Sequence, residues 1–434
     1  MIERVGSKAA HPTGLIGNIG FYKRLQGAII RKRRHTLHHP NKTRRHIVLG
    51  AAVLSAGLAS SVASSLAHAA EPLKVGLIVP MSGPFASTGR QVDAAIKLFL
   101  QQNGNTVAGR QVQVILKDDG GVSPDVTKRL AQELVARDKV QVLAGFGLTP
   151  LAFAAAPVAT QAKVPMIVMN AATSVIPQRS PYIVRTGFTL AQVTAPMAQW
   201  AAKNNIKSVV TFVSDYGPGI DAEKVFVKDF TKAGGKIVAS LRAPLRNPDY
   251  SPFLARVKDA KPDALFVFVP SGEGAAVLKQ FTDRGLAQAG IRLIATGDVL
   301  DDDLMPSIGP AALGVVSSHH YSAAHPSPEN KAFVAAFTQA NKGMRPNFHA
   351  VGAYDGMQLL WAALKKTNGN SEGPKLIEAM KGHSWNSVRG PVTIDPATRD
   401  IVQTVYIRKA EQGAGGVFNV EFDKVEKFKD PGVE

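Results

Sequence analysis

Two periodicities alternate along this chain. Short apolar, β-branched runs at Val75–Val79, Val112–Leu116, Val140–Leu143 and Met166–Val168 predict buried strands. Between them, Gln91–Gln102, Pro124–Arg137 and Leu151–Gln161 carry helical spacing. Strand–helix alternation of this kind predicts a parallel sheet covered by helices on both faces. The pattern then restarts. Strands at Ser208–Val213, Lys236–Leu241, Ala264–Val269 and Arg292–Ala295 alternate with helices at Ile220–Ala233, Phe253–Asp259 and Gly274–Arg284. Two successive units of similar size and order predict an α/β chain with two doubly wound parallel-sheet lobes. No residue-level repeat relates them, so the likeness is architectural. Beyond Val315–Tyr321, the stretches Asn330–Asn341, Ala350–Lys366 and Pro374–Met380 read as helices. Val392–Ile394, Thr404–Arg408 and Val417–Phe422 read as strands, separated by Asp395-Pro396 and a glycine-rich turn at Gly413–Gly416. Such a tail suits a chain that crosses between lobes more than once.

The first 69 residues follow neither periodicity. Arg31-Lys32-Arg33-Arg34 and Arg44-Arg45 precede an apolar run from Ile47 to about Ala59, shorter than the roughly 20 apolar residues a membrane helix needs. A basic region, a short apolar core and Ala67-His68-Ala69 predict an export signal cleaved after Ala69. Thr43 to Val48 also fits a twin-arginine signal, although paired arginines are equally ordinary charges in a leader; both export routes stay open. Residues 1–69 hold eleven Lys and Arg against Glu3, ten of the net charge of +18, which leaves +8 for the mature chain. So modest and dispersed an excess is not a nucleic-acid signature. The chain has no cysteine, which removes disulfides, thiolate catalysis, cysteine metal sites and a lipid anchor. A mature chain of about 365 residues predicts two domains with sizeable cores. No second apolar run is long enough for a membrane span, so a soluble protein without a membrane anchor is expected.

In open parallel sheets, ligands sit outside the carboxyl ends of the strands. The segments following the strands are Met81–Gly89, Gly145–Thr149, Asn170–Ser174, Ser214–Gly219, Pro270–Gly274 and Thr296–Asp298, rich in Gly, Ser, Thr and Ala. Small residues let backbone N–H groups approach a ligand, and hydroxyls add donors. Pro150 after Gly145-Phe146-Gly147-Leu148-Thr149 suits the first turn of a helix, whose free N–H groups favour an anion. Each loop alone is equally well explained as a tight turn with a Ser or Thr cap; six in succession favour a binding cleft.

Catalytic signatures are weak. Gly217-Pro218-Gly219 lacks a third glycine at dinucleotide spacing, and neither a phosphate-loop lysine motif nor a Gly-x-Ser-x-Gly elbow occurs. Ser82 and Ser271 have no identifiable base. Asp118-Asp119, before Gly120-Gly121, reads as a solvated turn. Asp301-Asp302-Asp303 reads as acids favoured at a helix N-terminus. His319 and His320, adjacent in a predicted strand, should face opposite sides and so not share a metal ion; one of them, or Tyr321, is a candidate ligand contact where the lobes meet. No cofactor, metal or catalytic group is expected.

Ser82-Gly83-Pro84 with Gly89 five residues on resembles the start of periplasmic solute-binding proteins of the branched-chain amino acid type, the type I binding proteins that feed ABC importers. The similarity continues through Lys117-Asp118-Asp119, Gly145–Thr149, Pro165–Thr173, Asp215-Tyr216-Gly217 and Arg389-Gly390-Pro391-Val392, and so covers essentially the whole mature chain. The resemblance implies two α/β lobes joined by three crossovers, closing on a small ligand like a hinge. It places lobe 1 at 70–189 plus 322–388, lobe 2 at 190–321 plus 389–427, and a tail at 428–434. It implies that Phe85 and Thr88 reach the cleft, that Thr149 and its N–H hold a ligand carboxylate, and that Ala171, Ala172 and Thr173 form a second anchoring loop. Tyr216 matches an aromatic from the second lobe, Asp298 falls near the acid that pairs with an amino acid ammonium, and Ser271 aligns loosely because Pro270–Gly274 departs from the family pattern.

Other departures concern the ligand. Thr88 stands where leucine-type binders hold an aromatic, and Phe146 and Leu148 make the next loop more apolar. Ala312 to Tyr321 and Arg345 to Gly356 are similar to a branch associated with aromatic acids from plant material. The resemblance implies a monomeric periplasmic protein that captures a small carboxylate ligand, amino acid or aromatic acid, for an ABC permease in the inner membrane. The alternatives are a ligand-sensing subunit of a membrane receptor using the same cleft, and an enzyme on the same fold, which the absent nucleotide motifs and unpartnered nucleophiles disfavour.

Overall fold

The computed structural model describes residues 71–432; the expected export signal and its cleavage site lie outside the described residues. The chain builds two sheets. The first runs Thr106–Val107, Arg110–Asp118, Leu73–Val79, Val142–Gly145, Met166–Val168, Ile183–Arg185, parallel except for the leading hairpin. Leu73–Val79 sits at its centre, with Val75 opposite Val114 on one side and Val142 on the other. Its side chains are almost all buried because helices cover both faces, which is why the strand is an unbroken apolar run rather than an alternating one.

The second sheet orders Lys236–Ala243, Ser208–Ser214, Ala264–Phe268, Arg292–Thr296 and Val316–His319 in parallel, then adds Ile401–Gly413 antiparallel. Gly416–Phe428 and the short strands Gly390–Ile394 and Ser384–Ser387 complete it. The chain crosses between the sheets three times. It leaves the first after Arg185 and returns after His319 to lay Phe348–Lys366 against Ala86–Asn103. It then re-enters the second sheet from Ser384 onward. The architecture is therefore the expected one: α/β, two doubly wound parallel-dominated sheets, three crossovers. Among the described residues no helix is long and apolar enough to cross a membrane.

Several local expectations change. The helix expected from Gln91 begins at Ala86, so Thr88 and Gly89 lie on its first turn rather than in a loop. Gly89 reads as a breaker, but the contact requires it: a Cβ there would lie 2.0 Å from the Pro80 carbonyl oxygen. Leu190–Lys203 is a helix that no expectation covered. Pro196 interrupts its pattern, and burial on nearly every side erases the amphipathic period.

His319 ends its strand and His320 lies beyond it, so alternation does not separate them: their rings are 4.4 Å apart and both are buried. Asp119 is buried, accepting from the Thr127 hydroxyl and the Gly121 N–H; only Asp118 fits the solvated turn. The aspartates 301–303 are also more than helix-end acids. Asp301 and Asp302 are buried, and Asp301 binds the side-chain amide of Asn347 at 2.9 Å as well as the Ser271 hydroxyl. Asp303 accepts from Ser87 at 2.7 Å. These acids tie elements of the second sheet to helices that flank the first.

Candidate ligand-binding site

Helix starts converge on one cavity between the sheets. Phe85 precedes Ala86–Asn103, Leu148 precedes Thr149–Ala162, Tyr216 precedes Gly217–Lys232, and Asn347 caps Phe348–Lys366, accepting from the N–H groups of His349 and Ala350. The cavity has a volume of about 30 Å³. Its wall carries Phe85, Thr88, Leu148, Thr149, Ala172, Tyr216, Ser271 and Asp298, eight of the eleven positions expected from sequence. Four N-terminal helix ends turn a positive dipole field on the cavity, and the three without a side-chain cap leave N–H groups open there, the setting in which an anion is stabilised.

The other three expected positions lie behind this wall. Phe146 is fully buried in the core of the first sheet. Its φ of 69° turns the side chain away from the cavity. Ala171 packs in the same core, and its N–H donates to the Phe146 carbonyl at 2.9 Å. Thr173 supports the wall: the Thr149 hydroxyl is 3.0 Å from its hydroxyl and 3.3 Å from its N–H. His319, His320 and Tyr321 are not part of the wall.

Arg185 sets how the second anchoring loop faces. Its buried guanidinium donates to the carbonyls of Ala171, Thr173, Ser174 and Phe188, and its Nε lies 2.6 Å from Asp400. In a trans peptide the C=O and the following N–H point in opposite directions. Drawing the Ala171 carbonyl back to Arg185 therefore aims the Ala172 N–H forward. The next such peptide sends the Ser174 N–H to Asp221, 2.9 Å away on Gly217–Lys232. Burial pushes the Asp400 carboxyl up to about 7 against the pull of Arg185.

Gly147, Asn170, Pro218 and Pro270 complete the wall from within the expected loops, and Phe188, Leu190 and His349, which sequence reasoning missed, complete it from outside them. His349 Nδ1 is 2.9 Å from the Asn170 amide and its Nε2 is 3.3 Å from the Thr88 hydroxyl. Burial holds it neutral, its pKa lowered to about 3. With the Asn170 amide donating to Nδ1, the Nε2–H points at Thr88 and leaves the Thr88 O–H free to turn into the cavity. Asn347, a cap-type residue three positions before the expected helix Ala350–Lys366, was the available signal for His349. Phe188 follows the short strand Ile183–Arg185, which the apolar pattern did not announce.

Phe188 meets His319 at 4.7 Å and crosses Phe348 edge-on at 5.4 Å, while Tyr216 stacks on Phe268 at 6.0 Å. Asp298 sits at the second sheet's rim, with His319 Nε2 3.5 Å from its Oδ2 but without hydrogen-bond geometry. Burial lowers the His319 pKa to about 4, outweighing the nearby carboxylate. Burial, with the charge of Asp298, pushes the Tyr216 phenol well above its ordinary value. No group of three His, Cys, Asp or Glu among the described residues is placed to hold a metal ion.

A ring-lined cavity fed by helix N-termini at the carboxyl ends of two parallel sheets is a ligand-capture site, and the chain belongs to the periplasmic binding protein family, whose model matches residues 72–415. It is a solute-binding protein of the ABC-transporter type. The "Leu/Ile/Val-binding protein homolog 6" of Brucella abortus (strain 2308) is 44% identical over 377 residues, covering 86% of this chain and 96% of that protein. A solute-binding protein of an ABC transporter from Rhodopseudomonas palustris BisB5, solved in complex with 3,4-dihydroxybenzoic acid, is 60% identical. It matches with a TM-score of 0.82 over 84% of this chain and 99% of its own. Another, from Rhodopseudomonas palustris HaA2 in complex with p-hydroxybenzoic acid, is 43% identical, with a TM-score of 0.81 over 83% and 99%.

Proposed function

We propose that this chain captures a small aromatic carboxylate outside the cytoplasm and delivers it to an ABC permease in the inner membrane. The observation that carries this reading is the convergence of helix N-termini on a cavity walled by Phe85, Phe188 and Tyr216. The Thr149 N–H opens its helix, and neither it nor the Ala172 N–H has a partner among the described residues; with the Thr149 hydroxyl turned from Thr173 to the ligand, they take the carboxylate. The aromatic body of the ligand lies against the rings. The hydroxybenzoate complexes of the Rhodopseudomonas relatives support this ligand class over the aliphatic amino acids in the Brucella relative's name. Residues 1–69 act as the export signal, and the two lobes close on the ligand around the three crossovers.

A thermal-shift screen tests the reading, because a tight ligand raises the melting temperature by mass action. Benzoate-type acids should raise it and leucine or valine should not. The reverse result would assign the site to amino acids. Turnover of any of these solutes at catalytic protein concentration would exclude a pure binding role.

A further inference from the structure

The two rims of the cavity differ in what they leave unfilled. On the first sheet's side, Thr149 bonds Thr173 and His349 bonds both Asn170 and Thr88, and the buried side-chain atom left without a partner is the neutral amide oxygen Oδ1 of Asn170. On the second sheet's side, Asp298 lines the cavity at 5% exposure, and its Oδ2 accepts no hydrogen bond. A buried carboxylate oxygen without a donor is costly, more so than a neutral polar group.

The neighbours of Asp298 do not meet this need. His319 approaches at 3.5 Å without bonding geometry. Ser271 gives its hydroxyl to Asp301, and Tyr216, the third polar side chain on this rim, makes no hydrogen bond to Asp298 although its phenol feels the carboxylate's charge. Positive charge is already at hand: Gly297 is so tightly packed that a Cβ there would lie 2.2 Å from Arg408 Nη2. With a guanidinium behind it, the acceptor lacks a donor rather than a second cation.

Building on the aromatic-carboxylate reading above, we infer that Asp298 accepts a hydrogen bond from a ring hydroxyl of the ligand, so that the site selects hydroxylated benzoates over benzoate. The carboxylate is held at the helix ends of the first sheet, the ring spans the aromatic wall, and a hydroxyl at the far end completes Asp298. Benzoate would fill the same space and leave the Oδ2 unmet. A site built to bond a substrate hydroxyl discriminates strongly against the analogue that lacks it.

Calorimetry with benzoate, 4-fluorobenzoate and 4-hydroxybenzoate decides this. Fluorine occupies nearly the space of the hydroxyl and donates nothing. The wild-type protein should bind 4-hydroxybenzoate about 10- to 150-fold more tightly than either analogue, the range of a hydrogen bond to a charged group. In Asp298→Ala that ratio should collapse to within about threefold, and in Asp298→Asn, whose amide oxygen accepts without charge, it should fall to an intermediate value. Equal wild-type affinities for the three acids, or a ratio that survives Asp298→Ala, overturns the inference while leaving the aromatic-carboxylate reading intact. Failure of all three acids to bind, or binding of leucine lost in Asp298→Asn, overturns both. Melting curves of the ligand-free variants establish that they fold, and the wild-type comparison stands without them.

Discussion

The two rims of the cavity are built on different principles. The first sheet's rim holds its side chains in place and leaves two backbone donors open: Arg185 gathers four carbonyls, Thr149 bonds Thr173, His349 bonds Asn170 and Thr88, and the Thr149 and Ala172 N–H groups face no partner among the described residues. The second sheet's rim presents Asp298 with an open acceptor, backed by His319 and Arg408. A preformed rim fixes where an anion can sit. An unfinished rim fixes what else the ligand must carry. On the reading proposed above, orientation and selectivity fall to opposite walls of one cavity.

The comparison can be broken most forcefully at Arg185. Arg185→Met leaves Asp400 buried without its partner and releases the carbonyls that turn the Ala172 N–H forward. A loss of about 3–5 kcal/mol in unfolding free energy is expected, the cost of breaking a buried pair, read from urea denaturation. Stability within 1 kcal/mol of wild type would show that the loop holds its shape without the guanidinium.

Thr149→Ala tests the prepared rim and removes its two bonds to Thr173 as well. It should weaken binding of a carboxylate ligand by about 1–3 kcal/mol, and an unchanged calorimetric affinity would remove Thr149 from the anion site. His349→Gln tests whether that rim needs a neutral imidazole. The folded pKa of His349 is depressed to about 3 from 6.5, so the unfolded chain binds the proton first. The stability of the wild type is therefore complete above pH 6.5 and is lost as pH falls toward 3. Relative to the variant, the wild type should lose about 1 kcal/mol between pH 7 and 5.5. Parallel pH profiles from urea midpoints would contradict this.

The smallest effect belongs to the link between the two sides. Ser87→Ala removes the 2.7 Å bond to Asp303 and should cost about 0.5–1 kcal/mol of stability. A thermal melt showing no change would mean that Asp301 and Asn347 alone carry the contact.

The legible part of the molecule was the part that repeats a rule. Strand-then-helix alternation announced both sheets, and positions just after strand ends led to Thr149, Tyr216, Ser271 and Asp298. The illegible part depended on long-range packing or on single backbone angles. Phe146 followed its strand as expected, yet a positive φ turned it inward. Phe188 and His349 reach the cavity from a crossover and from a late helix cap. The buried aspartates at 119, 301 and 302 looked like solvent-facing acids because their partners, Thr127, Asn347 and Arg408, stand elsewhere in the chain.

Gly89 carries a last consequence. Its contact with Pro80 locks the start of Ala86–Asn103 onto the end of the central strand, so the Thr88 hydroxyl is carried by a rigid helix tip rather than a loop. The same holds for Thr149, Tyr216 and His349, all within a residue or two of helix starts. Little local backbone has to be ordered when a ligand arrives, so affinity depends on how the two halves meet. A fluorophore pair placed across that junction, away from the cavity, would turn the molecule into a reporter of its own solute.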